Sequence, residues 1–143
     1  MEYRRLPHGE ERISILGLGT SSIGMAGERE IRATVELALE AGVNYFDMAS
    51  ADAAPFPAYG AAMAGVRDRV RFQIHFGADY QGGTYGWTTD LDTIRRSVDW
   101  QMKALQTDYI DFGFLHCLDE ESDLRAAVDG GTLDYLLQLR RQG

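Results

Sequence analysis

The stretch VNYFDMASADAAP, residues 43–55, decides the fold. It opens as a short apolar run, Val43-Asn44-Tyr45-Phe46, and reaches a carboxylate, Asp47, where the run stops. Small and polar residues then take over from Ala49 to Ala54. A run of this length, after a helical pattern and before a small-residue loop, reads as a buried parallel strand. Asp47 then stands at the strand's C-terminal end, where parallel α/β folds bind ligands and place chemistry. Other apolar runs of the chain end the same way, so polar residues gather at one rim.

Working outward, the order of elements follows from the same signals. Glu2 to Arg5 and Arg12 to Ile15 flank Pro7-His8-Gly9 and predict a β-hairpin. Ile15 to Thr20, with glycines at 17 and 19, reads as the first buried strand. The loop Ser21 to Gly27 is Gly- and Ser-rich, but GLGTSSIG does not match the dinucleotide spacing GxGxxG, and a plain strand-to-helix loop is the better reading. Glu28 to Ala41 has a helical rhythm, with Gly42 as C-cap. Val43 to Asp47 is the second strand, and Ala58 to Ala64 a short helix. Val70 to Phe76 is the third strand, with His75 near its end. Ala78 to Trp87, rich in Gly, Tyr and Trp, is a loop long enough to reach over the rim. Thr89 or Asp90 N-caps a helix to Gln106, whose Ile94, Val98, Met102 and Leu105 form one apolar stripe, with Trp100 packed between helices. Tyr109 to Leu115 is the fourth strand, ending at His116. Two helical stretches, Asp123 to Val128 and Leu133 to Leu139, are interrupted at Gly130-Gly131. Strands alternating with helices predict a parallel sheet with right-handed crossovers, in one domain covering residues 1–143.

Composition narrows the partners. The chain has 143 residues, 45% hydrophobic and 25% charged, with a formal net charge of −8. That acidity argues against nucleic acid or an anionic membrane, both of which call for clustered Lys and Arg. A single cysteine, Cys117, makes no internal disulfide and cannot alone hold zinc or an iron–sulfur cluster. The N-terminus lacks the apolar core of a signal peptide, and a cytoplasmic location is expected.

Four residues fall at or just beyond the ends of strands two to four: Asp47, Asp52, His75 and His116. A lone His or Asp at a strand end is usually a structural hydrogen-bonding group or a cap. Delivery by three strands to one rim shifts the balance towards function for Asp47 and His116.

These residues carry a resemblance. Leu18-Gly19-Thr20, Asn44-Tyr45-Phe46-Asp47-Met48-Ala49, and Asp108-Tyr109-Ile110-Asp111 running into Leu115-His116 resemble the aldo/keto reductase family, in order and over essentially the whole chain. The resemblance implies a (β/α)8 TIM barrel that interconverts carbonyls and alcohols with NADP(H). It also implies an opening hairpin that plugs the barrel floor, and a tetrad of Asp, Tyr, Lys and His. Asp47 matches the aspartate and His116 the histidine; Gly19 and Thr20 match positions near the cofactor. The tyrosine position is Asp52, followed by Ala53 where the family has glycine. Tyr59-Gly60 does not rescue it, because a gapless match sets that pair on the next helix. The lysine position is His75. The tetrad is thus degenerate at the proton donor and its activator.

The exchange has chemical consequences. A tyrosine near pKa ~10 is a neutral donor at pH 7, whereas an ordinary aspartate near ~3.9 only accepts. His75 can act as an acid directly, because imidazolium titrates near neutrality. Asp47, Asp52, His75 and His116 together also make a donor set suited to a divalent transition metal, although decay of the site is the simpler account and no metal is expected. A whole barrel takes about 250 residues, so four strands correspond to an N-terminal half-barrel. Such a half lacks most of the family's cofactor site and is expected to be inactive alone. Some relatives append a ferredoxin-like segment; an iron–sulfur cluster would belong only to such a missing C-terminal segment. The expected partner is a small carbonyl or alcohol substrate, and unpaired edge strands predict self-association. The competing readings are a metal- or His-dependent lyase or isomerase on the same barrel, and a non-catalytic binding or assembly module using Tyr80 to Trp87. For that aromatic segment, packing is the favoured role.

Overall fold

The computed structural model describes residues 1–143. Strands β1 (Tyr3–Arg5) and β2 (Arg12–Ser14) form the antiparallel hairpin, joined through the Pro7-His8-Gly9 region. Then come β3 (Leu18–Gly19), α1 (Glu28–Glu40), β4 (Tyr45–Asp47), α2 (Pro55–Ala62) and, after a 3-10 turn at Arg67–Arg69, β5 (Arg71–Phe76). A short ribbon, β6 (Ala78–Asp79) and β7 (Gly86–Trp87), precedes α3 (Leu91–Ala104), β8 (Phe112–Leu115), α4 (Glu121–Asp129) and α5 (Thr132–Gln142). The main sheet has four parallel strands in the order β3-β4-β5-β8, which is the expected half-barrel topology with both outer strands unpaired on one side.

Alternation along the strands sorts the side chains. Phe46, Phe72, Ile74 and Phe76 are buried against the helices, meeting Ile31 and Val35 of α1, Phe56 and Tyr59 of α2, and Ile94 and Val98 of α3. Each such burial is worth about 1.5–3 kcal/mol. Tyr45, Asp47, Gln73, His75, Phe112 and Phe114 occupy the other, concave face, and Phe114 remains 49% exposed there. At that face the Tyr45 and Phe112 rings meet edge to face at 5.8 Å.

Several boundaries differ from the sequence expectation, each for a local reason. The first strand is only Leu18–Gly19, because Ile15 and Leu16 are exposed rather than buried. The short helix starts at Pro55, earlier than Ala58, since proline suits the first helical turn. The fourth strand starts at Phe112 rather than Tyr109, because Thr107 Oγ1 bonds the Tyr109 backbone and shapes a turn there. In place of a plain loop, Ala78 to Trp87 folds into the β6/β7 ribbon. Other expectations match: Asp90 N-caps α3 by accepting from Thr93 N at 2.8 Å. Left-handed Gly131 (φ 85°) separates α4 from α5. Trp100 packs between Phe56 of α2 and Tyr80 of the ribbon segment.

Opposite ends of the sheet are built differently. At the N-terminal ends, Asn44 staples the hairpin to β4: its Oδ1 accepts from Ser14 N at 2.8 Å and its Nδ2 donates to Arg12 O at 2.9 Å. Beside it, Asp111 accepts from Arg67 Nη2 (2.8 Å) and from Phe72 N (2.9 Å), and Arg67 lies over the Tyr109 ring at 3.8 Å. The C-terminal ends carry the other polar cluster.

Candidate active site at the C-terminal rim

Strands β4, β5 and β8 deliver Asp47, His75 and His116 to one continuous hydrogen-bonded line. His75 Nε2 lies 2.6 Å from Asp47 Oδ1, and His75 Nδ1 lies 3.0 Å from His116 Nδ1. The His rings meet edge to face, with centroids 4.7 Å apart. Gln73, two residues before His75 and therefore on the same face, donates from Nε2 to Asp47 Oδ1 at 2.9 Å. The Tyr45 hydroxyl in turn donates to Gln73 Oε1. The His75 side chain is only 12% exposed, Asp47 37%. The strand's period of two puts Gln73 on this face, although its neutral amide does not mark it as a site residue in the sequence.

The tautomers follow from these contacts. Asp47 accepts, so His75 carries its proton on Nε2. Between two facing Nδ1 atoms only one proton fits. With both rings neutral, His116 donates from Nδ1 to His75, and His116 Nε2 is an acceptor. One added proton reverses this: His75 donates from Nδ1, and His116 Nε2–H becomes a donor. Burial, and then the neighbouring His75, hold the His116 imidazole below its ordinary range, only partly offset by Asp47 and Asp119. While the Nδ1–Nδ1 contact holds, the pair has room for a single positive charge, beside the Asp47 carboxylate.

Asp52 is not part of this line. Its backbone N donates to Ser50 Oγ at 3.2 Å and its residue bridges to Thr84, but its carboxylate bonds none of Asp47, His75 or His116. The proposed four-residue metal set is therefore not assembled, and nowhere do three or more His, Cys, Asp or Glu side chains stand as a metal-binding group. The aromatic segment packs: Tyr80 is 1% exposed, its hydroxyl accepts from Ser50 N, and its ring meets Phe56 and Trp100. Tyr85 and Trp87 reach the rim, where Trp87 Nε1 donates to His116 O at 3.0 Å.

At the end of β3, the two cofactor candidates differ. Thr20 is buried, and both its N–H and its hydroxyl bond Asp47 O, which fixes the height of Asp47. A Cβ added at exposed Gly19 would meet nothing within 4 Å. Thr20 is therefore a buried support for Asp47, whereas Gly19 is exposed backbone.

The aldo/keto reductase family model matches residues 15–143. L-galactose dehydrogenase of Arabidopsis thaliana is 26% identical over 155 residues, covering 100% of this chain and 46% of that protein. Protein tas of Escherichia coli (strain K12) is 28% identical, covering 81% of this chain and 38% of that one. Among solved structures, an aldo-keto reductase assigned as putative from Pseudomonas aeruginosa superposes with a TM-score of 0.81 at 28% identity, over 99% of this chain and 55% of its own. An aldo-keto reductase from Bacillus halodurans, in its holo form, gives 0.70 at 26%, over 93% and 47%. The chain thus spans less than half of the curated relatives and about half of the solved structures. With a parallel half-barrel sheet, an Asp–His–His line at its C-terminal rim and a family match over nearly all its residues, the chain belongs to the aldo/keto reductase family.

Proposed function

We propose that the full-length protein interconverts a small carbonyl and its alcohol, with His116 as the proton-donating group. The observation that carries this reading is the unbroken Asp47–His75–His116 line at the rim where the family places its chemistry. A bound nicotinamide, NADP(H) by family habit, supplies the hydride. Gly19 would offer it exposed backbone, and Thr20 would hold Asp47 in place beside it.

The residues then divide the work. His116 presents Nε2–H to the carbonyl oxygen when the pair is protonated. His75 passes its proton across the 3.0 Å Nδ1–Nδ1 contact as His116 gives its own away. Asp47 stabilises the charged pair, and Gln73 fixes the carboxylate. His75 thus stands in for lysine by pairing with Asp47, while the two rings together replace the tyrosine's acid function. In the reverse direction the neutral pair accepts the alcohol proton at His116 Nε2. The reading includes a cytoplasmic location and a 143-residue half that is inactive alone.

The test is steady-state reduction of aldehydes and ketones by the full-length protein, followed by loss of reduced-nicotinamide absorbance. His116→Ala and His75→Ala should each lower kcat about 100-fold or more, the usual contribution of a positioned acid. Wild-type turnover in both variants refutes the assignment. Fluorescence of the two tryptophans on NADPH titration should show no saturable binding to the half-barrel alone.

A further inference from the structure

The phenol absent at position 52 has a counterpart elsewhere on the rim. The segment Ala51 to Ala53 is zipped antiparallel to Gly83 to Tyr85: Tyr85 N donates to Ala51 O at 2.8 Å, Ala53 N donates to Gly83 O at 3.0 Å, and Asp52 bridges Thr84. The ribbon therefore lays a tyrosine beside the very segment where the family carries its own. The Tyr85 ring packs against His116. It stands edge-on, with centroids 5.5 Å apart and planes at 80°. The adjoining Tyr80 cannot serve, because it is 1% exposed and its hydroxyl is engaged by Ser50 N. Tyr85 is 39% exposed, and its hydroxyl holds only a long contact to Cys117 Sγ at 4.0 Å. Thiols are weak acceptors, so a substrate oxygen would displace that contact readily.

We propose that Tyr85 is a substrate-binding catalytic residue, whose phenol hydrogen-bonds the carbonyl oxygen alongside His116 Nε2–H. This assignment rests on the function proposed above and deepens it. Tyr85 keeps its proton throughout. The hydride forms the new C–H bond, the C=O π pair moves onto oxygen, and the proton for the new O–H bond leaves His116. Burial, then the resting contact with Cys117, pushes the Tyr85 phenol up to about 12, and with that contact displaced burial still favours the neutral donor. A neutral donor aimed at developing oxyanion character lowers the barrier without needing a lysine to acidify it. Trp87, bonded to His116 O, and Tyr85 flank the histidine from one ribbon, so the ribbon sets the spacing of the two donors.

The experiment uses the full-length protein, with 4-nitrobenzaldehyde as probe, and compares wild type with Tyr85→Phe. Two readouts are taken: steady-state reduction, and the infrared carbonyl stretch of bound probe without cofactor. Tyr85→Phe should lower kcat about 100-fold, the lower end for loss of one oxyanion donor, with little change in KM. The bound carbonyl band should move to higher frequency, because one hydrogen bond is gone. An unchanged kcat overturns the catalytic role, and an unchanged band overturns it even if kcat falls, since the loss is then structural. A wild-type protein that turns over no carbonyl refutes the function proposed above, and the infrared band still decides whether Tyr85 holds a carbonyl.

Discussion

Replacing Asp111 with alanine removes an acceptor that three groups share. Arg67 Nη2 and Phe72 N lie 2.8 and 2.9 Å from one carboxylate oxygen, and Arg71 Nε lies 3.5 Å from the other. The Asp111 and Arg67 side chains are only 12% and 15% exposed, so solvent screens the pair weakly. Removing one partner of a buried pair costs about 3–5 kcal/mol. Arg67 keeps Tyr109 O, Val70 O and Thr107 Oγ1 as acceptors. That places the expected loss for Asp111→Ala at the lower end, about 3 kcal/mol. Asp111→Asn retains an oxygen for the Phe72 N–H and loses only the charge, so about half that loss is expected, near 1.5 kcal/mol. Urea unfolding followed by tryptophan fluorescence reads both values, provided the slope with denaturant stays constant. Equal losses for the two variants, or a loss below about 1 kcal/mol for alanine, would mean that the pair behaves like a surface ion pair and that this account is wrong.

Two further outcomes follow from named contacts. Because burial and His75 keep folded His116 neutral, the unfolded chain takes up a proton that the folded one resists once pH falls below about 6.5. Stability should therefore be full above that pH and decline on acidification, with a shallower decline in His116→Gln; identical urea midpoints against pH in the two proteins would rule this out. Gly60 of α2 lies where an added Cβ would come within 2.6 Å of Ala104 O and 2.7 Å of the Leu105 backbone. Gly60→Ala should cost about 1–3 kcal/mol by forcing α2 off the end of α3, and a thermal midpoint equal to wild type would show that the helices yield freely.

Much of the architecture was legible because it rests on short-range signals. Apolar runs ending in Asp47, His75 and His116 gave the strands and their common rim, and the stripe on α3 gave its buried face. What the sequence concealed depends on long-range geometry. Ile15 and Leu16 look like strand core but precede the paired residues of β3 and stay exposed. Asp52 sits at the expected spacing from Asp47, yet a bridge to Thr84 takes its segment into the ribbon. The same bridge brings Tyr85 to the rim from more than thirty residues away, and no local pattern announces it. The facing Nδ1 atoms of His75 and His116 depend on the register of β5 with β8, His75 opposite Phe114, which spacing alone does not fix.

The segregation of the two rims bears on how such a site changes over generations. Asp111, Arg67 and Asn44 anchor the strands at one end, while Asp47, His75 and His116 occupy the other. Exchanges at the chemical end leave the anchoring end untouched, so the scaffold survives intermediates whose activity is poor. On this frame Asp52 and His75 can be exchanged one at a time without breaking the Asn44, Arg67 or Asp111 contacts. Unfolding does not purge such variants, so the rim is free to vary while the strands stay in register.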